Sequence, residues 1–153
     1  MSAAFRLTGR LHLAALEQSL NEMVTRHEAL RTTFEIVDDQ VVQVIDPSVT
    51  LNLPVNDLRT VSQSEREPTT QHLMSQEVRR PFDLVQGPLF RVTLIQVDEE
   101  EHILLFTIHH IISDGWSMGI LFRELSALYE GFCKGQPASL PELAIQYTDF
   151  AIW

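Results

Sequence analysis

Residues 103–108, ILLFTI, are six consecutive apolar or β-favouring residues, the pattern of a strand buried on both faces. The run ends in His109 and His110, passes through Ile111 and Ile112, and reaches Ser113-Asp114-Gly115, a turn composition. From Trp116 the pattern turns helical, with Ile120, Leu121, Leu125, Leu128, Tyr129 and Phe132 recurring every three or four residues. A strand that delivers histidines into a turn before a helix sets titratable groups at a sheet edge, where ligands commonly sit. The tight turn also lets Asp114 fold back toward His110, so the two can act as a unit.

A chain of 153 residues buries one ordinary core, so one domain, or one lobe of a larger one, is expected. Its apolar fraction of 44% and charged fraction of 21% are those of a folded soluble protein rather than a disordered one. The net charge of −10 argues against a binder of phosphate backbones, which needs a basic face; Arg79-Arg80 is the only adjacent basic pair. Cys133 is the sole cysteine, so no intrachain disulfide forms, as expected of a protein in a reducing cytosol. It falls on the predicted helix without an activating base beside it and reads as helix packing. No apolar run approaches the roughly 18 residues that span a bilayer. The N-terminal residues lack the charged-then-apolar order of a secretory signal. A soluble, cytoplasmic protein is the expectation.

In chain order, residues 5–11 alternate as a strand broken at Gly9. Residues 12–30 carry Leu13, Leu16, Leu20, Met23, Val24 and His27 on one stripe, predicting an amphipathic helix. Residues 30–37 and 41–45 are β-rich runs separated by Asp38-Asp39-Gln40, a hairpin by composition. Residues 51–55 suit a short edge strand, since Pro54 argues against a central one. Residues 58–68 are polar and read as a flexible connection, followed by a helix over 69–80 stopped by Pro81. Residues 89–97 and 102–109 flank Asp98-Glu99-Glu100-Glu101, predicting a second hairpin with a solvated acidic turn. After the helix over 116–133 and a loop at 134–137, another helical stretch begins at Tyr147. The order predicts an α+β sandwich with helices on one face of a mainly antiparallel sheet.

Read from its residues alone, His110 is the candidate acid or base, because imidazole titrates near neutrality and takes a proton from an amine, alcohol or thiol. Asp114 either orients that ring or shapes the turn by pairing with an arginine. Gly115 permits close backbone approach, and its amide can face a developing oxyanion. Two alternatives stand beside this reading. Paired histidines at a strand end are often only packed and hydrogen-bonded, and His and Asp are metal ligands. Adjacent strand residues, however, point to opposite faces, so His109 and His110 are not expected to chelate one ion.

Three segments resemble one family. Residues 109–115, HHIISDG, match the HHxxxDG signature of the condensation domains of nonribosomal peptide synthetases, members of the chloramphenicol-acetyltransferase-like superfamily. Residues 26–34, RHEALRTTF, resemble the family's RHExLRTxF motif, and residues 147–153, YTDFAIW, resemble its YxDFAxW motif. The resemblance implies that superfamily's αβ sandwich and amide-bond formation between two substrates held as thioesters on the phosphopantetheine arms of carrier proteins. It carries the catalytic role onto His110, as general base or as the group that positions the amine, with His109 beside it in a supporting place. Asp114 falls on the motif aspartate, read as structural through an arginine ion pair for which Arg26 and Arg31 are the candidates; Gly115 closes that motif. Trp153 matches the closing aromatic of the third motif and reads as packing, as does His27 on its helix face. Heterocyclising relatives carry aspartates in place of the first histidines, which sets that subtype apart. Residues 111–113 resemble members that join an L-donor to an L-acceptor, and the Gly115-Trp116-Ser117-Met118 context departs from epimerisation domains.

The family's opening SxAQxRLW-like segment and everything beyond YxDFAxW find no counterpart in these residues. The resemblance therefore implies an N-terminal lobe whose second, C-terminal lobe would form the other wall of the substrate tunnel. Its expected partners are peptidyl and aminoacyl carrier proteins, that C-terminal lobe, an adjacent adenylation domain, and other copies of itself through the uncovered apolar face. Nucleic acid and membranes are not expected partners, and no metal or cofactor is expected to bind the lobe itself. A catalytically silent lobe that docks carrier proteins or neighbouring synthetase domains is the alternative.

Overall fold

The structure is a computed structural model that describes residues 1–113, 115–136, 140–143, 145, 146 and 149, without the side chains of residues 115–117. Its elements are β1 (Ser2–Thr8), α1 (Leu13–Arg26), a 3₁₀ turn (Glu28–Arg31), β2 (Thr32–Val37), β3 (Gln40–Ile45) and β4 (Val55–Asp57). They continue with α2 (Gln63–Arg79), β5 (Phe90–Asp98), β6 (Glu101–Ile108) and α3 (Gly115–Cys133). Strands β1-β6-β5-β4 form one sheet in that order, while β2 and β3 pair as a separate hairpin. β6 runs antiparallel to both β1 and β5, and β4 is parallel to β5, so the sheet is mixed.

The run expected to be buried on both faces is buried at every position from His102 to Ile108. Strand alternation sorts its side chains. Leu104, Phe106 and Ile108 share a core with Phe90, Val92 and Leu94 of β5, Leu16, Leu20 and Met23 of α1, and Leu121, Leu125 and Leu128 of α3. On the other face, Ile103 and Ile95 pack with Leu58, beneath Leu73 and Met74 of α2. The expectation of helices on one face is therefore corrected: both faces are covered. A strand apolar on both sides needs that cover, since either bare face would leave large side chains in water.

α2 is the second correction. Residues 58–68 are not a flexible connection, because the helix already begins at Gln63 and carries Pro68 within it. Pro68 lacks the amide that would bond residue 64. A start signal is nonetheless present: Ser62 is the N-cap, and its hydroxyl donates to Glu65 Oε2 at 2.5 Å. The helix is mostly polar because it meets the sheet through a narrow stripe that includes Thr70, Leu73, Met74 and Glu77.

α1 ends earlier than its periodicity predicts. His27 is its C-cap, with extended backbone, and residues 28–31 tighten into the 3₁₀ turn. The helix's terminal carbonyls are satisfied from outside: Arg31 donates from Nε to Val24 O (3.1 Å) and from Nη2 to Thr25 O (3.3 Å). At the other end, His12 Nδ1 accepts the Ala15 amide at 3.2 Å. The edge strand shifts from the expected 51–55 to Val55–Asp57, because Pro54 has no amide and contributes only its carbonyl, which accepts the Leu94 amide at 3.0 Å.

The two hairpins are where composition placed them. Asp38 and Asp39 turn β2 into β3 at φ of 49° and 59°, the left-handed region that a two-residue hairpin turn demands. The acidic turn between β5 and β6 is exposed and ringed by arginines: Asp98 Oδ2 lies 3.0 Å from Arg66 and Glu99 Oε1 2.9 Å from Arg59. Cys133, expected to pack, is instead exposed at the end of α3. No described helix is long and apolar enough to cross a membrane.

His102 is buried beside Gln96 and Leu7, with Nδ1 lacking a hydrogen-bond partner. Burial, reinforced by the positive charge of Arg59, lowers its pKa below the ordinary 6.5. A histidine held neutral in the fold takes its proton more readily when unfolded. Its contribution to stability is therefore complete above about pH 6.5 and is lost as pH falls from there toward the folded value. Urea midpoints measured from about pH 7.5 down to about pH 5.5 should fall, and the His102→Gln variant should show a shallower fall. Identical slopes would remove His102 from the account.

Candidate functional site

β6 ends by handing the chain to a turn that begins at His109. The His109 amide donates to Leu89 O at 2.9 Å, which ties the strand end to the start of β5. The His109 carbonyl then accepts the Ile112 amide at 3.2 Å, closing a four-residue turn over 109–112. Its ring adds a second closure, with Nδ1 accepting the Ile111 amide at 3.1 Å. Ile112 is buried and plugs the turn into the core. His110, at the corner, is exposed, and Ile111 beside it is 40% exposed.

The neighbours therefore divide. The ring of His109 is half-buried, edge-on to Phe82 with centroids 5.7 Å apart and planes at 87°. His110 stands in the open, where it can meet a reacting group. Gly115 is the first residue of α3, so its amide lies at a helix N-terminus, where the first N–H groups have no intrahelical acceptor and favour negative charge. Asp114 and Trp153 lie outside the described residues.

The two candidate arginines both brace α1. Arg31 caps α1, and its Nη1 also donates to Asp46 O at 2.6 Å. Arg26 ends α1 and pairs with Glu124 of α3, Nε to Oε2 at 3.1 Å. The same carboxylate oxygen lies 2.7 Å from His27 Nε2. All three side chains are 12–16% exposed, so this is a buried polar cluster. His27 is thus more than helix-face packing: it is one of two partners of a carboxylate that enters the gap between helices. Arg26 also donates to Pro141 O, and its carbonyl accepts Gln146 Nε2 at 3.0 Å, which fastens Pro141 and Gln146 to the end of α1.

Glu124, Phe82 and Arg91 join the site and its supports although their sequence positions did not single them out. Glu124 had a signal: it is a single acid on the stripe of Leu121, Leu125 and Leu128, where a buried charge needs a partner. Arg91 likewise interrupts an apolar strand. Phe82, in an irregular segment after Pro81, had none.

The strand-turn-helix unit thus presents an exposed histidine, His110, at its corner, just past the end of β6, an inner strand of the sheet. Comparison with known proteins gives it a family. The family model of the condensation domain matches residues 1–153, and the chain belongs to that family. It is 48% identical over 150 residues to one of the linear gramicidin synthase proteins of Brevibacillus parabrevis, covering 98% of this chain and 2% of that protein. Among solved structures, it is similar to the X-domain from teicoplanin biosynthesis in its complex with OxyB. That likeness has a TM-score of 0.87 at 36% identity, over 100% of this chain and 32% of the other. The starter condensation domain of rhizomide synthetase RzmA shares the fold, with a TM-score of 0.84 at 24% identity over 94% of this chain and 34% of that one. The chain thus spans a few per cent of the curated synthetases it matches, and about a third of the solved domains.

Proposed function

We propose that this chain is the N-terminal lobe of a condensation domain that joins two carrier-bound substrates, with His110 as its catalytic residue. The observation that carries the reading is the exposed His110 at the corner of a doubly closed turn, in a chain of that family. The acceptor's α-amine attacks the carbonyl carbon of the donor thioester. A C–N bond forms, the C–S bond breaks, and the amine's proton passes to the leaving thiolate. His110 serves this transfer by taking the proton, or by holding the amine through a hydrogen bond. Gly115, at the N-terminus of α3, lies where developing negative charge is favoured. Asp114, Arg26, Arg31 and Trp153 belong to the scaffold: Arg26 and Arg31 brace α1, and Asp114 and Trp153 keep the structural roles their motifs imply. The donor and acceptor arrive on phosphopantetheine arms of carrier proteins, and a C-terminal lobe supplies the second wall.

The test is peptide-bond formation with donor- and acceptor-loaded carrier proteins, using the chain alone, with a C-terminal lobe added in trans, and as His110→Ala. Product is expected only when the lobe is added. The His110→Ala variant should lose about 10²-fold or more in rate, the usual share of a general acid or base. A rate unchanged by the substitution would overturn the catalytic assignment. Carrier-protein binding without product in any mixture would leave a docking module.

A further inference from the structure

The position of His110 is inherited. Its backbone is bracketed by two bonds that both end on His109: Ile112 N–H to the carbonyl at 3.2 Å, and Ile111 N–H to ring Nδ1 at 3.1 Å. The second bond exists only while the ring of His109 keeps Nδ1 toward Ile111. In the neutral ring it also places the proton on Nε2, because Nδ1 is the acceptor. What holds that ring is therefore part of the site.

Phe82 packs edge-on against His109 at 5.7 Å. Behind Phe82 lies Arg91 of β5, with its guanidinium carbon 3.9 Å from the ring centroid. Arg91 is itself immobilised. It pairs with the Glu77 carboxylate, and it donates to Arg80 O at 2.9 Å and to Glu77 O and Pro81 O at 3.3 Å, so it caps the C-terminal end of α2. Its side chain is 12% exposed, and Glu77 is 17% exposed. An unbroken line of contacts thus runs from the end of α2 through Arg91, Phe82 and His109 to the turn that carries His110.

We infer that Phe82 and Arg91 are positioning residues for the histidine turn, locking His109 as the Nε2–H tautomer whose Nδ1 fixes Ile111 and so sets where His110 stands. The inference rests on the proposed role of His110 for its catalytic meaning, but its geometry is tested without catalysis. Guanidinium stacking presses one side of Phe82, leaving its edge contact with His109 as the restraint on ring rotation. Leucine in place of Phe82 fills part of the volume but has no ring to hold. Tyrosine keeps the ring. Lysine in place of Arg91 keeps the charge beside Glu77 but loses the planar stack and the forked donation to three carbonyls.

The experiment is long-range ¹H–¹⁵N correlation of the labelled chain, which reads the tautomer of His109 directly, together with hydrogen exchange of the Ile111 amide. The wild-type chain should show His109 as the Nε2–H tautomer, with Ile111 protected. Phe82→Tyr should match it. Phe82→Leu and Arg91→Lys, with circular dichroism unchanged, should show averaged His109 nitrogens and about tenfold faster exchange at Ile111. A wild-type ring protonated on Nδ1 overturns the inference without any variant. So does a folded Phe82→Leu chain whose His109 and Ile111 are unaltered. If the tautomer is as expected while the transfer assay shows no dependence on His110, the positioning stands and the catalytic reading falls.

Discussion

Replacing Glu124 with alanine should destabilise the protein by about 3 kcal/mol, more than its single carboxylate suggests. Glu124 faces two partners at once, Arg26 at 3.1 Å and His27 at 2.7 Å, with all three side chains largely withdrawn from water. Removing the acid leaves the arginine's charge buried beside α3 without its partner. Stranding one member of such a pair typically costs about 3–5 kcal/mol, and the lower end applies here because the cluster keeps some solvent contact. Urea denaturation of Glu124→Ala, Arg26→Ala and the double variant should give a coupling of about 1 kcal/mol or more, because the second deletion removes the charge that the first left stranded. Strictly additive losses would mean that the two side chains do not depend on one another. The cluster also anchors Pro141 and Gln146 through Arg26, so protease cleavage beside those two residues should rise in Glu124→Ala.

Phe106→Ala should cost about 3–5 kcal/mol and lower the melting temperature by about 10 °C or more. Phe106, in the C-terminal half of β6, is 2% exposed. It lies 5.0 Å from Phe122 of α3 in a T-shaped pair, 6.0 Å from Phe5 of β1 and 6.1 Å from Phe90 of β5. One ring therefore joins three strands to a helix, and its removal opens a cavity bounded by a sheet that cannot collapse. The comparison is Ile36→Thr in β2, where the side chain is 74% exposed and the change should fall within about 0.5 kcal/mol. Calorimetry on both variants separates burial from hydrophobicity as the cause. Equal losses would show that the hairpin's apolar tip is covered in solution.

Local patterns are legible wherever one element's own periodicity carries the information. The stripe of Leu16, Leu20, Met23 and Val24 specifies α1, and the apolar run at 103–108 specifies a strand covered on both sides. The Asp38-Asp39 pair and the acidic residues 98–101 mark both hairpins. The paired histidines at the end of β6, and the motifs around them, name the family without any tertiary contact. The misreadings share one cause. The first turns of α2 read as a loop because the helix meets the sheet through a narrow stripe, and its stability comes from Ile95 and Ile103, residues of other elements. Periodicity places the end of α1 too late because it continues past His27, while the termination depends on Arg31 reaching back to two carbonyls.

Sequence alone thus determined most of the elements, the family and the identity of the two histidines, because each is written within a dozen or so contiguous residues. Only the tertiary structure decided how the histidines differ. The ring of His109 is half-buried against Phe82, from the loop after α2, which Arg91 of the neighbouring strand backs from behind. His110 is left exposed at the corner of the turn that His109 closes. Arg26 and Glu124, 98 residues apart, likewise meet only when α1 and α3 pack on the same sheet face. Such pairings carry no periodic signal, because the chain between partners can take any length once a common core holds the elements in place.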